Sequence, residues 1–298
     1  MTRRKAFILG MVCTLALLLP CYGLLMIYSA ARTAPADAGQ SNVPILSPTE
    51  SDEKTLLVMT GEESPETFVL IRLDALHSAV NAVAMPASTV VLCDGAPFTL
   101  ARAGQDAGPA QAAAALEETL AIHVDNYVLC PAQTLARQTE ALGNGRLRLV
   151  NYMSAQALEQ LRLAVPGVED IALTPQMLAQ ALAEGAADRQ MEPLLRAAGY
   201  LAFLRAGCQR LDSVLPEALR YAIAHCSTDL TATQVYDYQR VCSFLAQDTP
   251  QFNWAGLPGT FAGQGETERY ELGAAALATA RQYLAASPAQ NASIEDSQ

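Results

Sequence analysis

Chemistry in this chain would have to come from a short set of residues, because few of its polar side chains are spaced for it. Three carboxylates, Glu62, Glu63 and Glu66, crowd the turn around Pro65, where a solvated turn is the plainest account of them. Asp188-Arg189 sets an acid beside a cation ahead of an apolar helical stripe, and an acid at the positive end of a helix dipole already explains that pairing. The three histidines are scattered: His77 in a turn, His123 at an outward strand position and His225 near a helix end, none with a visible partner. No Gly-x-Ser-x-Gly elbow marks a serine nucleophile. The seven cysteines show no Cys-x-x-Cys and no His/Cys ligand spacing, which argues against a structural zinc site. Cys93 and Cys130 end apolar strand-like runs and Cys242 sits on an apolar helix face, places that suit buried free thiols.

The stretch that would position such groups runs from Glu66 to Thr89. Thr67–Asp74 is dominated by β-branched and large apolar residues, which pack well on a pleated surface and crowd a helical turn. Apolar residues on both its faces predict a central strand covered on two sides. Val80–Met85 reads as its neighbour, leading into Pro86 and the tip Ala87-Ser88-Thr89 before Val90-Val91-Leu92 resumes. Turns at the ends of such strands are where open α/β sheets place ligands.

Around that centre, Thr55–Met59 reads as an earlier buried strand, and an alanine-rich helix over 110–121 passes into a strand over 122–129. Pro131 and Gly143 suit the start and exit of a helix, followed by a strand over 146–150. The second half reads as helical. Ser154 caps a helix to about residue 164 and Thr174-Pro175 open another through 183. Leu194, Leu195, Ala198, Leu201 and Leu204 form one stripe, and Pro216 opens a helix to Cys226. Thr228–Thr231 cap a helix whose face carries Val235, Tyr238, Cys242 and Leu245, and a last helix spans 268–285. Strands interleaved with helices predict an α/β fold.

At 298 residues the chain can bury a substantial core. It is 51% hydrophobic, with a formal charge of −11 and a pI near 4.7. No Lys/Arg cluster interrupts that acidity, so no electrostatic footprint for nucleic acid is present. Residues 6–30 contain no charged side chain, and about 20 apolar residues cross a bilayer as a helix. Arg3, Arg4 and Lys5 precede the run and only Arg32 follows closely, which predicts a single-pass signal-anchor in the cell membrane, its N-terminus (1–5) cytoplasmic and the remainder extracytoplasmic. A cleaved signal peptide is the alternative, although the run exceeds the usual apolar core of about 7–15 residues. Residues 31–54, rich in Ala, Pro, Ser and acids, read as a flexible linker. Residues 55–286 read as one extracytoplasmic domain and 287–298 as a disordered tail.

Several of these segments together resemble the LytR-CpsA-Psr (LCP) family, membrane-anchored enzymes that attach lipid-linked polymers to bacterial cell walls. Pro65-Glu66-Thr67, Arg72-Leu73-Asp74 and Ala84-Met85-Pro86-Ala87-Ser88-Thr89 keep the frame of the family's early signature, in which a strand runs through a basic-then-acidic stretch into Ser-Ile-Pro-Arg-Asp-Thr. Ala107-Gly108-Pro109 and Asp125-Asn126-Tyr127-Val128 stand where the family has a Gly-Gly-Pro turn and a strand ending Asp-His-Tyr-Val. Thr228-Asp229-Leu230 and Leu257-Pro258-Gly259 follow the grammar of its C-terminal half. The resemblance implies an α-β-α domain with a central mixed sheet flanked by helices, and an apolar slot between sheet and helices for a lipid tail.

The implied reaction moves a phosphoryl-linked glycopolymer from polyprenyl pyrophosphate to a wall sugar hydroxyl. It needs acidic residues to hold Mg²⁺, which the resemblance assigns to Glu63 and Glu66. It also needs arginines, whose planar fork matches pyrophosphate oxygens. Arg189 and Gln190 match the Arg-Gln pair that ends the family's arginine block and are assigned to the pyrophosphate. Arg189 and Arg72 are assigned to catalysis and Arg102 to the lipid headgroup. The arginine of the family's Pro-Arg-Asp turn is Ala87 here, and residues 177–187 contain no arginine. Charge stabilisation is the main task in such transfers, so this loss predicts a divergent member with weak or no transferase activity, binding polyprenyl-linked lipid in an accessory or regulatory role. The alternatives are an active phosphotransferase with a clamp rebuilt from Arg72, Arg102, Arg189 and Arg196, and a ligand-free interaction module. The implied partners are the membrane, polyprenyl-phosphate lipid and a cell-wall polymer or peptidoglycan.

Overall fold

The computed structural model describes residues 47–62, 64–163, 170–184, 191–263 and 267–285. The expected anchor (6–30), most of the expected linker and the expected tail (287–298) lie outside them. Among the described residues no helix is long and apolar enough to cross a membrane.

The first half is built from β1 (Glu53–Thr60), β2 (Thr67–Asp74), β3 (Ala79–Met85), β4 (Val90–Cys93), β5 (Ala96–Thr99), α1 (Leu100–Ala107), α2 (Pro109–Leu120), β6 (Asn126–Cys130), α3 (Ala132–Glu140) and β7 (Gly145–Leu147). The second continues with α4 (Ala155–Gln160), β8 (Ile171–Leu173), α5 (Pro175–Glu184), α6 (Met191–Ala206), α7 (Leu211–His225), β9 (Ser227–Thr228) and α8 (Ala232–Gln247). It ends with β10 (Gln251–Gly256), β11 (Gly259–Ala262), β12 (Arg269–Leu272) and α9 (Ala276–Leu284).

A six-stranded mixed sheet in the order β10-β3-β2-β1-β6-β9 forms the middle layer. β2 is central, antiparallel to both β1 and β3, and every residue from Phe68 to Asp74 is buried. β6 runs parallel to β1 and β10 parallel to β3, so β10, β3, β1 and β6 all point the same way. Because successive strand residues face opposite sides, one face carries Leu56, Val58, Val69 and Ile71 into a core with α6, α7 and α8. The other carries Leu57, Met59, Phe68 and Leu70 into a core with α1, α2 and α9. Each of these side chains contributes about 1.5–3 kcal/mol by leaving water, which explains why the central strand was legible as an unbroken apolar run.

Local chemistry sets most helix ends. Ser154 accepts from the Ala157 amide at 3.2 Å ahead of α4. Thr231 and Gln234 close a full capping box at α8, whose buried face is Val235, Tyr238, Cys242 and Leu245 as the spacing predicts. α5 and α6 touch closely at Gly199, where an added Cβ would lie 2.5 Å from a Leu178 methyl carbon.

Several expectations need correction, and the helix expected to about residue 164 ends at Gln160. α7 begins at Leu211 rather than at Pro216, which sits buried inside it; Leu211 is fully buried, and the proline forgoes a single intrahelical bond. The strand expected from Ile122 begins at Asn126, because Glu117 accepts from the Val124 amide at 2.8 Å and bends the preceding residues. The strand expected over 146–150 stops at Leu147 and turns into a 3₁₀ segment at Leu149–Asn151. The single helix expected over 268–285 is β12 followed by α9. Tyr270 pulls its segment into a strand against β11, its ring 4.8 Å from that of Phe261 and its hydroxyl donating to the Leu257 carbonyl at 2.7 Å.

β1 starts at Glu53, inside the stretch expected to be linker. Asp52 is buried, accepts from the Thr49 amide at 2.8 Å and from Arg240 Nε at 2.6 Å, and so ties the chain down before the first strand.

Candidate functional site

The carboxyl ends of β1, β3, β6 and β10 all lie at one edge of the sheet, at Thr60, Met85, Cys130 and Gly256. This edge is where α/β sheets offer ligands a crevice. Gly61 closes the first turn there: its amide donates to the Cys130 carbonyl at 3.2 Å, and a Cβ would fall 1.8 Å from the Ser64 oxygen. Glu62 and Glu66 are exposed at this turn, and Glu63 lies outside the described residues. The Pro86–Thr89 turn, where the family resemblance has its arginine, is held by backbone and hydroxyl. Thr89 Oγ1 donates to the Pro86 carbonyl at 2.6 Å, the Ala101 amide to Ala87 at 2.9 Å and the Tyr270 amide to Ser88 at 2.9 Å.

Beneath the edge, an apolar slot of about 110 Å³ runs between β1, β2 and β6 on one side and α3, α6 and α7 on the other. Leu56, Ile71, Cys130, Leu135, Tyr200 and Tyr221 help to line it, and among the described residues none of its lining side chains is charged. A dry apolar cavity of about 150 Å³ admits benzene, so the slot as it stands takes roughly one five-carbon prenyl unit. A longer tail requires α3 or α7 to part from the sheet.

Arg196 adjoins this slot. Glu192, Arg196 and Tyr200 follow one another at helical spacing on α6, so their side chains share a face. Arg196 Nε donates to Glu192 Oε1 at 2.8 Å, and Tyr200, one turn further on, stands in the slot wall. Burial pushes the Tyr200 phenol above its ordinary range, with the Arg196 charge pulling the other way. Arg196 is one of the four arginines named for a rebuilt clamp in the alternative of an active phosphotransferase. Tyr200 carried no signal beyond its distance of one turn from that arginine.

The other assigned residues are placed elsewhere. Arg72 sits at the far edge of the sheet, about 17 Å along β2 from Thr67 by strand rise, on the face opposite the slot. It is buried and occupied: it pairs with Glu53, lies 3.6 Å from Asp74 and donates to the Leu284 carbonyl at 2.8 Å. Arg102 is exposed on α1, paired with Asp106 at 3.0 Å and 5.6 Å over the Phe98 ring. Neither lines the slot. Arg189 and Gln190 lie outside the described residues. Glu53, Asp74 and His77 bring ligand atoms within 4.8 Å of one another, but Arg72 supplies the counter-charge that a divalent ion would bring. Burial raises the Glu53 carboxyl, with Arg72 lowering it in opposition. That composition does not fit Mg²⁺, which prefers carboxylate oxygens and water.

No family model matches the sequence, and no curated protein does. Solved structures do share its fold. A structure described as a putative transcription regulator from Eubacterium siraeum superposes with a TM-score of 0.65 at 14% identity, covering 83% of this chain and 97% of that one. TagT bound to LIIa-WTA gives 0.58 at 14% identity, covering 80% and 92%. The LytR-CPS2A-psr family protein YwtF (TagT) with bound octaprenyl pyrophosphate lipid gives 0.54 at 13% identity, covering 80% and 91%. The described domain therefore has the fold of the LytR-CPS2A-psr proteins.

Proposed function

We propose that this domain binds the tail of a polyprenyl-linked phosphate lipid in the slot, at the cell envelope, with weak or no transferase activity of its own. The observation that carries the reading is an uncharged apolar slot, in a fold shared with a protein whose structure holds octaprenyl pyrophosphate, flanked by Arg196 already engaged to Glu192. A pyrophosphate carries several negative charges, and moving a phosphoryl group from it demands fixed cations aimed at the developing charge. One guanidinium shared with a carboxylate supports holding a headgroup better than turning it over. Arg189 and Gln190, which precede α6 in sequence, are the further headgroup ligands we assign. Arg72 and Arg102 belong to this proposal only as remote charges. Glu63 and Glu66 remain the carboxylates assigned to Mg²⁺, and the lipid reading does not depend on that ion.

The apolar run over 6–30 supports anchorage in the cell membrane, with the domain outside and an accessory role beside a cell-wall polymer or peptidoglycan. The test is mass spectrometry of lipid co-purified with the full chain from a bacterial host. Polyprenyl phosphate in near-stoichiometric amount supports the reading, and a lipid-free protein removes it in favour of an interaction module. Multiple turnover of a short prenyl pyrophosphate with Mg²⁺, abolished by Arg189→Ala or Arg196→Ala, would instead establish an active phosphotransferase.

A further inference from the structure

The slot wall contains two thiols that neither the lipid reading nor the family resemblance uses. β6 and β9 pair antiparallel, Val128 opposite Thr228 and Leu129 opposite Ser227. Extending that register by one residue sets Cys130 opposite Cys226, which is the extended residue ending α7. Opposed residues of antiparallel strands have Cα atoms about 4.5–5.5 Å apart, inside the range of about 4.4–6.8 Å that a disulfide spans. The two side chains also share a face, since both line the slot. The remaining described cysteines have other engagements. Cys93 accepts from Gln111 Nε2 at 2.7 Å, Cys208 donates to the Leu245 carbonyl at 3.7 Å, and Cys242 is fully buried on α8.

We propose that Cys130 and Cys226 form a reversible disulfide that staples the end of α7 to β6 and limits the opening of the slot. The bond forms by thiol–disulfide exchange with a disulfide oxidant. The half-exposed Cys226, as thiolate, attacks one sulfur of the oxidant, giving a mixed disulfide and releasing one oxidant thiolate. Cys130, deprotonated in turn, attacks Cys226 Sγ and releases the second. Two protons leave the protein and two electrons reduce the oxidant. Burial, then the neighbouring thiol, pushes Cys130 up to about 12, so the second step is slow near neutral pH and quickens as pH rises. α7 carries Val214, Leu215, Ala218 and Tyr221 of the slot wall, so the staple restrains the helix that must part to admit more than one prenyl unit. This second consequence rests on the lipid reading, whereas the cross-link itself does not.

The full chain, reduced and then equilibrated with glutathione disulfide at pH 8.5, is digested and its cysteine peptides mapped by mass spectrometry, with prenyl lipid quantified in parallel. The expected result is a Cys130–Cys226 cross-linked peptide two hydrogens lighter than its parts, with Cys93, Cys208 and Cys242 still alkylated. Closing so long a loop also predicts a melting temperature higher by about 10 °C. Recovery of both thiols fully alkylated, or a Cys208–Cys242 bridge in their place, overturns the proposal. If the protein takes up lipid, the oxidised form should hold several-fold less than the reduced form, and equal uptake overturns the gating role. If neither form takes up lipid, the lipid reading fails while the peptide map decides the cross-link alone. The mapping needs only the unsubstituted protein, and Cys226→Ala serves as the control that loses the bridge.

Discussion

On α6, Arg196 engages Glu192 through its Nε at 2.8 Å and stands one turn ahead of Tyr200, which lines the apolar slot. The cation is thus held by a carboxylate of its own helix, one turn from a phenol in the slot wall. An anionic headgroup arriving there competes with Glu192 for it. Arg196→Ala should weaken binding of a short prenyl pyrophosphate by about tenfold, the size of one charge-assisted hydrogen bond. Glu192→Gln should strengthen it, because it frees the guanidinium. Titration calorimetry reads both, and equal affinities in the two variants would detach Arg196 from the headgroup.

Filling the slot is the complementary change. Ala218 lines it from α7, and Ala218→Phe should lower co-purified prenyl lipid at least tenfold while shifting the melting temperature by only a few degrees. Lipid content that survives this substitution would place the tail elsewhere in the fold.

Arg72 predicts a contrast between stability and binding. Its side chain is 6% exposed beside Glu53 at 13% and Asp74 at 7%. Arg72→Met leaves two buried carboxylates without their cation, a change that costs about 3–5 kcal/mol. Urea unfolding should show that loss, and lipid content in whatever remains folded should be unchanged. A variant with wild-type stability but impaired binding would return Arg72 to the headgroup.

Asp52 gives a pH signature. Burial raises its carboxyl, but the Thr49 amide and hydroxyl together with Arg240 outweigh burial and leave it below its ordinary value. A carboxylate lowered in the folded state contributes stability above its unfolded pKa, and that contribution fades as pH falls through the folded value. Asp52→Asn should therefore be less stable than the parent by about 1–3 kcal/mol at pH 7. The gap should close as pH drops below about 4, the ordinary aspartate range. Urea titrations at pH 7 and pH 3 measure the two ends, and a gap that widens at low pH would contradict the assignment.

The layered fold was largely legible before any coordinates. β2 occupies the span its composition predicts, and α8 begins at the end of the capping stretch Thr228–Thr231 and buries the four side chains its spacing selects. These features are written locally: a two-residue or 3.6-residue period, a capping hydroxyl, an apolar run of the right length. The misread segments share the opposite property. The strand character of β12 comes from pairing with β11, which its own residues do not signal, and α7 begins at the buried Leu211, five residues before the proline that locally suggests a helix start.

Amino-acid order alone was enough for the α/β class, the central strand, most helix starts and the shortage of cations in the family's arginine positions. Which residues share a site was settled by distant chain segments meeting. Arg72 is consumed by a carbonyl 212 positions away, and Cys130 and Cys226 come to line one slot although 96 positions separate them. A local pattern fixes which way a side chain points, but what it meets there depends on the packing of elements far apart in the chain, and no short window contains that information.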